Sequence, residues 1–190
     1  MTTRRAFMQI AAAAAAPVAL GGVPALSASG PGHQLVLFEE SLAPAAAFGR
    51  RAQAHGIAAR AIHQGDVTDA WLDAVRPAWR HSGRASIAGL TTPAALFCLE
   101  QLAFAHGLRV VFHAEHMLLP DGSARHQVLR ARQPFAVATL DRARSRWPRR
   151  LADSLLDHRP PGGARPGPSL AALEPALPGG ATLLTSWIIA

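Results

Sequence analysis

The chain has 190 residues, 49% of them hydrophobic, enough for one domain with a buried core and too few for several. All 19 basic residues are arginine, and the formal charge of +7 comes with no lysine and no tyrosine, a bias that weakens any inference from basicity alone to an anionic partner. The single cysteine, Cys98, excludes an internal disulfide, so packing must hold the fold.

The first 29 residues read as a targeting segment rather than as structure. Arg4 and Arg5 are paired, Phe7 follows two positions on, an uncharged alanine-rich stretch comes next, and small residues stand at Ala25, Ser27 and Ala28. This stretch resembles a twin-arginine (Tat) export signal, and Thr3-Arg4-Arg5-Ala6-Phe7-Met8 carries the resemblance; Gln9 stands where the pattern often has lysine. The resemblance implies recognition by the Tat translocase, folding before export, and a periplasmic or extracellular destination. Tat substrates commonly carry a cofactor or travel bound to a partner, which here points to a co-exported oxidoreductase subunit. Cleavage is expected between Ser27 and Ser29, leaving seventeen arginines against twelve acids, a net charge of +5. Ala6–Ala28 is long enough to span a bilayer, so a membrane contact follows only if the signal stays uncleaved; Pro17, Pro24 and the weak apolarity of alanine argue against an anchor.

After the signal, Gln34–Phe38 is a short apolar run expected to form a strand covered on both faces. Ser41 is the expected cap of a helix through Ala54, ended by Gly56. Ile57–Ile62 is interrupted by Arg60 and suits an edge strand. A second helix is expected from Thr68 to Val75, with Pro77 ending it. Ser86–Leu90 is a third strand. Thr92 caps a helix from Pro93 to Gly107, apolar on nearly every side and therefore expected between the sheet and other covering structure. Val110–Phe112 follows as a fourth strand, expected beside the third and parallel to it. Pro120-Asp121-Gly122-Ser123 is a turn signal that makes Arg109–Leu119 and Ala124–Ala131 a hairpin. A helical pattern over Leu140–Leu156, capped by Thr139, must be kinked or split at Pro148. Residues 159–180 are rich in proline and glycine, an ordered wrap or a linker, and Ala181–Ala190 is a final strand docked into the sheet.

The strand and helix alternation predicts an α/β fold: one three-layer domain over residues 30–158, with a mostly parallel sheet of the Rossmann or flavodoxin kind, plus the hairpin and the C-terminal strand of residues 181–190.

In such a sheet ligands bind at the carboxyl ends of the strands. The polar residues expected there are Glu39 and Glu40, then His63, Gln64 and Asp66, then Gly89, Thr91 and Thr92, and finally His113, Glu115 and His116. The candidate cleft consists of Glu39, Asp66, Thr91, Thr92, His113 and Glu115, with Gly89 expected to turn tightly and present the two threonines. If Asp121-Gly122 makes a two-residue turn, Met117 faces His126, and His113, Glu115 and His126 share one face as candidate metal ligands. His116 then lies on the opposite face, exposed. Cys98, between Phe97 and Leu99, reads as a small core hydrophobe rather than a nucleophile. Ser86 lacks the flanking glycines of a nucleophile elbow. There is no classical NAD or FAD fingerprint, because the first turn, Glu39-Glu40-Ser41, has no glycine and would repel a pyrophosphate. No residue pattern names another cofactor.

Arg142, Arg146, Arg149 and Arg150 recur at helical spacing and form a candidate surface for an acidic partner protein or anionic lipid head groups; nucleic acid does not suit an exported protein. The preferred functional reading is a non-catalytic accessory subunit exported with a redox enzyme. The alternative is a small enzyme or ligand-binding domain at the sheet edge.

Overall fold

A computed structural model describes residues 33–82, 85–131, 135–157 and 179–190. The stretch read as an export signal, with Arg4, Arg5 and Phe7, lies outside the described residues, as does nearly all of the proline- and glycine-rich stretch.

The apolar runs become strands of a single sheet: β1 (His33–Glu39), β2 (Ala58–Ile62), β3 (Ser86–Thr91), β4 (Val110–Leu118), β5 (Ala124–Ala131) and β6 (Thr182–Ile189). Their order across the sheet is β2-β1-β3-β6-β4-β5. The β1–β2 and β1–β3 pairs are parallel, whereas β3–β6, β4–β6 and β4–β5 are antiparallel. The sheet is therefore mixed, which corrects the mostly parallel arrangement expected from the alternation. The cause is the C-terminal strand, which enters the middle of the sheet between β3 and β4 and runs against both. These two strands still point the same way, but one strand apart. Strand β2 takes the edge, where the exposed Arg60 can reach water.

Helices cover both faces. On one, α1 (Ala43–Ala54), α5 (Ala138–Ala143) and α6 (Trp147–Leu156) pack Phe48, Leu140, Trp147, Leu151 and Leu155 against Val36, Leu90, Leu184 and Ile188. On the other, α2 (Thr68–Ala70), a π-helical turn (Trp71–Val75), α3 (Arg76–Ser82) and α4 (Pro93–Ala105) pack Val75, Trp79, Leu96 and Leu99 against Leu35, Leu37, Ile87 and Trp187. Burial of these side chains contributes about 1.5–3 kcal/mol each before entropy is counted.

Pro77 does not end its helix. The Arg76 N–H reaches back to the Trp71 carbonyl in the wide π turn, and this looser winding accommodates a proline that has no N–H to give. Pro148, by contrast, sits in the first turn of α6, where no donor is needed. The break comes earlier, at Arg144, which has φ +47° and joins α5 to a short 3-10 turn (Arg144–Arg146).

Helix α4 starts as expected: the Thr92 hydroxyl accepts the Ala95 N–H at 3.3 Å. Its outer side departs from expectation. Phe97 and Phe104 are 63% and 65% exposed and Cys98 is exposed too, so among the described residues α4 is covered on its sheet side only. The reading of Cys98 as a core residue is corrected accordingly. Among the described residues no helix is long and apolar enough to cross a membrane.

Candidate functional site

The ends of the strands bring several predicted site residues to one level of the sheet. Thr91 pairs with Thr185, Thr185 with Glu115, and Glu115 with Gln127, so these side chains form a polar row on the face that carries α4. Glu39 stands at the end of β1 beside this row. Its carboxylate is buried and accepts the Ser41 hydroxyl at 2.6 Å, the Gln64 N–H at 2.9 Å and the Gly65 N–H at 2.8 Å. Burial opposes its ionisation, but these bonds outweigh burial and hold the carboxyl below its ordinary value. Its acceptor positions are thus taken by the loop after β2, which it fastens to the end of β1. The same loop approaches α4: a Cβ on Gly65 would lie 3.1 Å from Thr92 Oγ1.

The other members are similarly engaged. Thr91 Oγ1 accepts the Trp187 indole N–H at 2.9 Å and donates to the Thr92 carbonyl at 3.2 Å. Asp66 is not turned into the row; its carboxylate accepts the Thr68 N–H at 2.8 Å and holds the first turn of α2. Gly89 is not at a turn but inside β3, paired with Trp187. His113 and Glu115 project from β4. Burial, reinforced by the nearby Arg130 charge, lowers the His113 pKa to about 4, and burial raises that of Glu115. The Thr185 hydroxyl and His113 Nε2 are buried without a hydrogen-bond partner among the described residues. Thr185 escaped sequence reasoning because nothing local indicates which strands β6 will join.

The metal trio does not assemble. Leu119 N–H bonds to the Ser123 carbonyl, Gly122 N–H bonds to the Leu119 carbonyl, and Gly122 has φ +81°, which makes a three-residue loop instead of a two-residue turn. The register moves by one residue, His126 faces His116 instead of Met117, and its side chain passes to the sheet face opposite His113 and Glu115. Among the described residues no three His, Cys, Asp or Glu side chains are placed to hold a metal ion.

His116, expected to be exposed, is fully buried. Its Nδ1 lies 2.8 Å from His126 Nδ1, its Nε2 lies 2.7 Å from the Ser186 hydroxyl, and its ring stacks on Trp147 at 4.8 Å between centroids. A bond between two Nδ1 atoms needs one of them bare, so at least one ring holds its Nδ1 unprotonated. Burial, with repulsion from His126 and His113, lowers the His116 pKa to about 3. Both the serine and the imidazole are closed to solvent, so the pair fastens β4, β5 and β6 to α6 rather than meeting a substrate.

The structure also has an open concavity of about 420 Å³ on α5 and α6, lined by Thr139, Arg142, Ala143, Arg146, Arg149, Arg150 and Asp153. All four arginines of the predicted patch meet here, although the helix they were expected to share is broken. The break at Arg144 folds α5 against α6 and turns a stripe into a hollow. Among the described residues none of these four guanidinium groups is paired with a carboxylate. Asp153 is already held by Arg51 Nε at 2.6 Å and His55 Nε2 at 2.9 Å from α1 and its C-terminal cap. Burial opposes its ionisation, and these two partners more than offset burial, so its pKa is lowered.

No family model matches this chain, and neither the curated proteins nor the solved structures contain a significant match to it.

Proposed function

We propose that the mature chain is a non-catalytic accessory subunit, exported by the Tat route with a redox enzyme and working by binding through its α5–α6 face. One observation carries this reading: four exposed arginines converge on a single hollow without carboxylate partners of their own. Like charges so gathered repel one another, and an anionic partner relieves that repulsion. The sheet edge supports the reading from the other side, since Glu39, Thr91, Thr92 and Asp66 are each engaged in hydrogen bonds that hold the chain's own loops and helix starts. The twin arginines near the N-terminus support the export route through their resemblance to Tat signals.

The test is recovery of the full-length chain, tagged at its C-terminus, from the periplasm of the cells that make it. An oxidoreductase subunit recovered in constant ratio, and lost from an Arg142→Glu/Arg149→Glu variant, supports the reading. Recovery of both forms alone counts against it. The competing reading, a small ligand-binding or catalytic site at the sheet edge, is favoured by the unpartnered Thr185 hydroxyl and His113 Nε2 beside Glu115. It predicts loss of a turnover or ligand signal in Glu115→Gln with partner binding unchanged.

A further inference from the structure

We infer that the α5–α6 hollow is a docking site for an acidic polypeptide segment, which rests on the binding reading above and specifies its partner. The guanidinium group is planar, always charged and matched to carboxylates in paired hydrogen bonds. Arg142, Arg146, Arg149 and Arg150 are exposed around the hollow, so the charge is available to a partner. Among the described residues Arg142 alone of the four shows a side-chain hydrogen bond, from its Nε to the Ala138 carbonyl at 3.1 Å, which directs the group and leaves its terminal nitrogens to a partner.

The surroundings separate this partner from the other polyanions. A membrane-binding surface combines basic residues with apolar side chains that enter the head-group region. Here the exposed large apolar side chains among the described residues are Leu72, Phe97 and Phe104, carried by the elements that cover the opposite face of the sheet. Single-stranded nucleic acid is held by aromatic stacking beside a basic groove. The aromatic residue nearest the hollow in sequence, Trp147, is 4% exposed and stacked on His116 beneath α6. The lining instead offers a hydroxyl, a methyl group and Asp153, whose carboxylate shows that arginine and histidine on this side of the sheet already hold an aspartate. That carboxylate is already held by Arg51 and His55, so it makes no demand on the four arginines of the hollow.

The experiment measures binding of a fluorescent polyglutamate peptide to the purified full chain by anisotropy at low salt and neutral pH. The Arg142→Glu/Arg149→Glu variant should bind about tenfold or more weakly, and added salt should weaken wild-type binding. The Arg60→Glu/Arg80→Glu variant changes the net charge equally at exposed positions away from the hollow and should bind as wild type does. Arg142→Gln/Arg149→Gln, which avoids new repulsion, serves should the reversed variant fail to fold, and should also weaken binding. Equal loss in the hollow and control variants would mean bulk charge alone and overturns the assignment. Tighter binding to phosphatidylglycerol vesicles or to oligothymidine than to polyglutamate overturns the partner class. Polyglutamate bound at the hollow with no oxidoreductase in the periplasmic recovery leaves this site standing and removes only the redox-enzyme reading.

Discussion

The indole of Trp187 lies against the backbone of Gly89 on the neighbouring strand, and its N–H donates to Thr91 Oγ1 at 2.9 Å. A Cβ on Gly89 would overlap the Cζ2 and Cε2 atoms of that ring. Trp187 is fully buried, so the indole has no free space to retreat into. Gly89→Ala should therefore destabilise the fold by about 1–3 kcal/mol, as overpacking of a dense core does. Gly89→Val should cost more. Pairing Gly89→Ala with Trp187→Leu should recover part of the loss, because the second change removes the clashing ring. Melting temperatures of the single and double variants check this, and additive losses would refute the contact.

The glycine shows what kind of information a sequence carries. Its need for a small side chain was readable, but the reason was not, because the indole comes from almost a hundred positions further along the chain. Local signals located nearly every element: Thr92 and Pro93 at the start of α4, the turn at Pro120–Ser123, and the branched run that ends the chain. What they could not fix was the placement of β6 between β3 and β4, since pairing is decided by distant partners. The register of the hairpin was lost to a single extra loop residue, which moved His126 across the sheet. The four arginines were readable as a group from spacing alone, whereas the hollow arises from the turn at Arg144, a conformation that arginine does not advertise.

Acid should weaken the fold through its histidines. The folded pKa is lowered to about 3 for His116 and about 4 for His113, and it is lowered for His126 as well, chiefly by burial, from an ordinary value of 6.5. Below that ordinary value the unfolded chain binds more protons than the folded one, so stability rises with pH. The contribution is complete above about pH 6.5 and is lost progressively as the pH falls toward 3. Glu39 and Asp153, with lowered carboxyl pKa values, add to the loss only at the acid end of that window, while Glu115, with a raised one, opposes it. Calorimetry from pH 8 to pH 4 should show a flat melting temperature at first and then a decline beginning near pH 6.5. His126→Gln, which keeps a hydrogen-bonding group beside His116, should make the decline shallower. A melting temperature that holds steady down to pH 4.5 would contradict the burial of these rings.

Cys98 should react in the native protein. It is exposed on α4 between the sheet-facing Leu99 and the exposed Phe97. A maleimide reagent at neutral pH should modify it fully without denaturant. Protection of the thiol until the chain unfolds would show that something covers this side of α4. For the same reason Phe97→Ser should change stability by no more than about 0.5 kcal/mol, the range of ordinary surface substitutions, and Phe104→Ser by about 0.5–1 kcal/mol. Arg109, whose guanidinium lies 4.1 Å from the Phe104 ring centroid, would lose that contact in the second variant.

Arg144 occupies a backbone conformation that favours glycine, φ +47° with ψ −128°, the geometry of the first central position of a type II′ turn. A side chain there is strained by about 1–3 kcal/mol, and the strain persists because Leu140 and Trp147 on either side are packed into the same core. Arg144→Gly should relieve it and raise the melting temperature, less the greater freedom that glycine has in the unfolded chain. Arg144 does not line the hollow, so polyglutamate affinity should stay near that of wild type after allowance for one lost charge. Arg144→Pro cannot adopt a positive φ and should separate α5 from α6. If the hollow depends on this turn, that variant must lose both stability and the peptide, and retention of full affinity would show that the arginines act without the corner that gathers them.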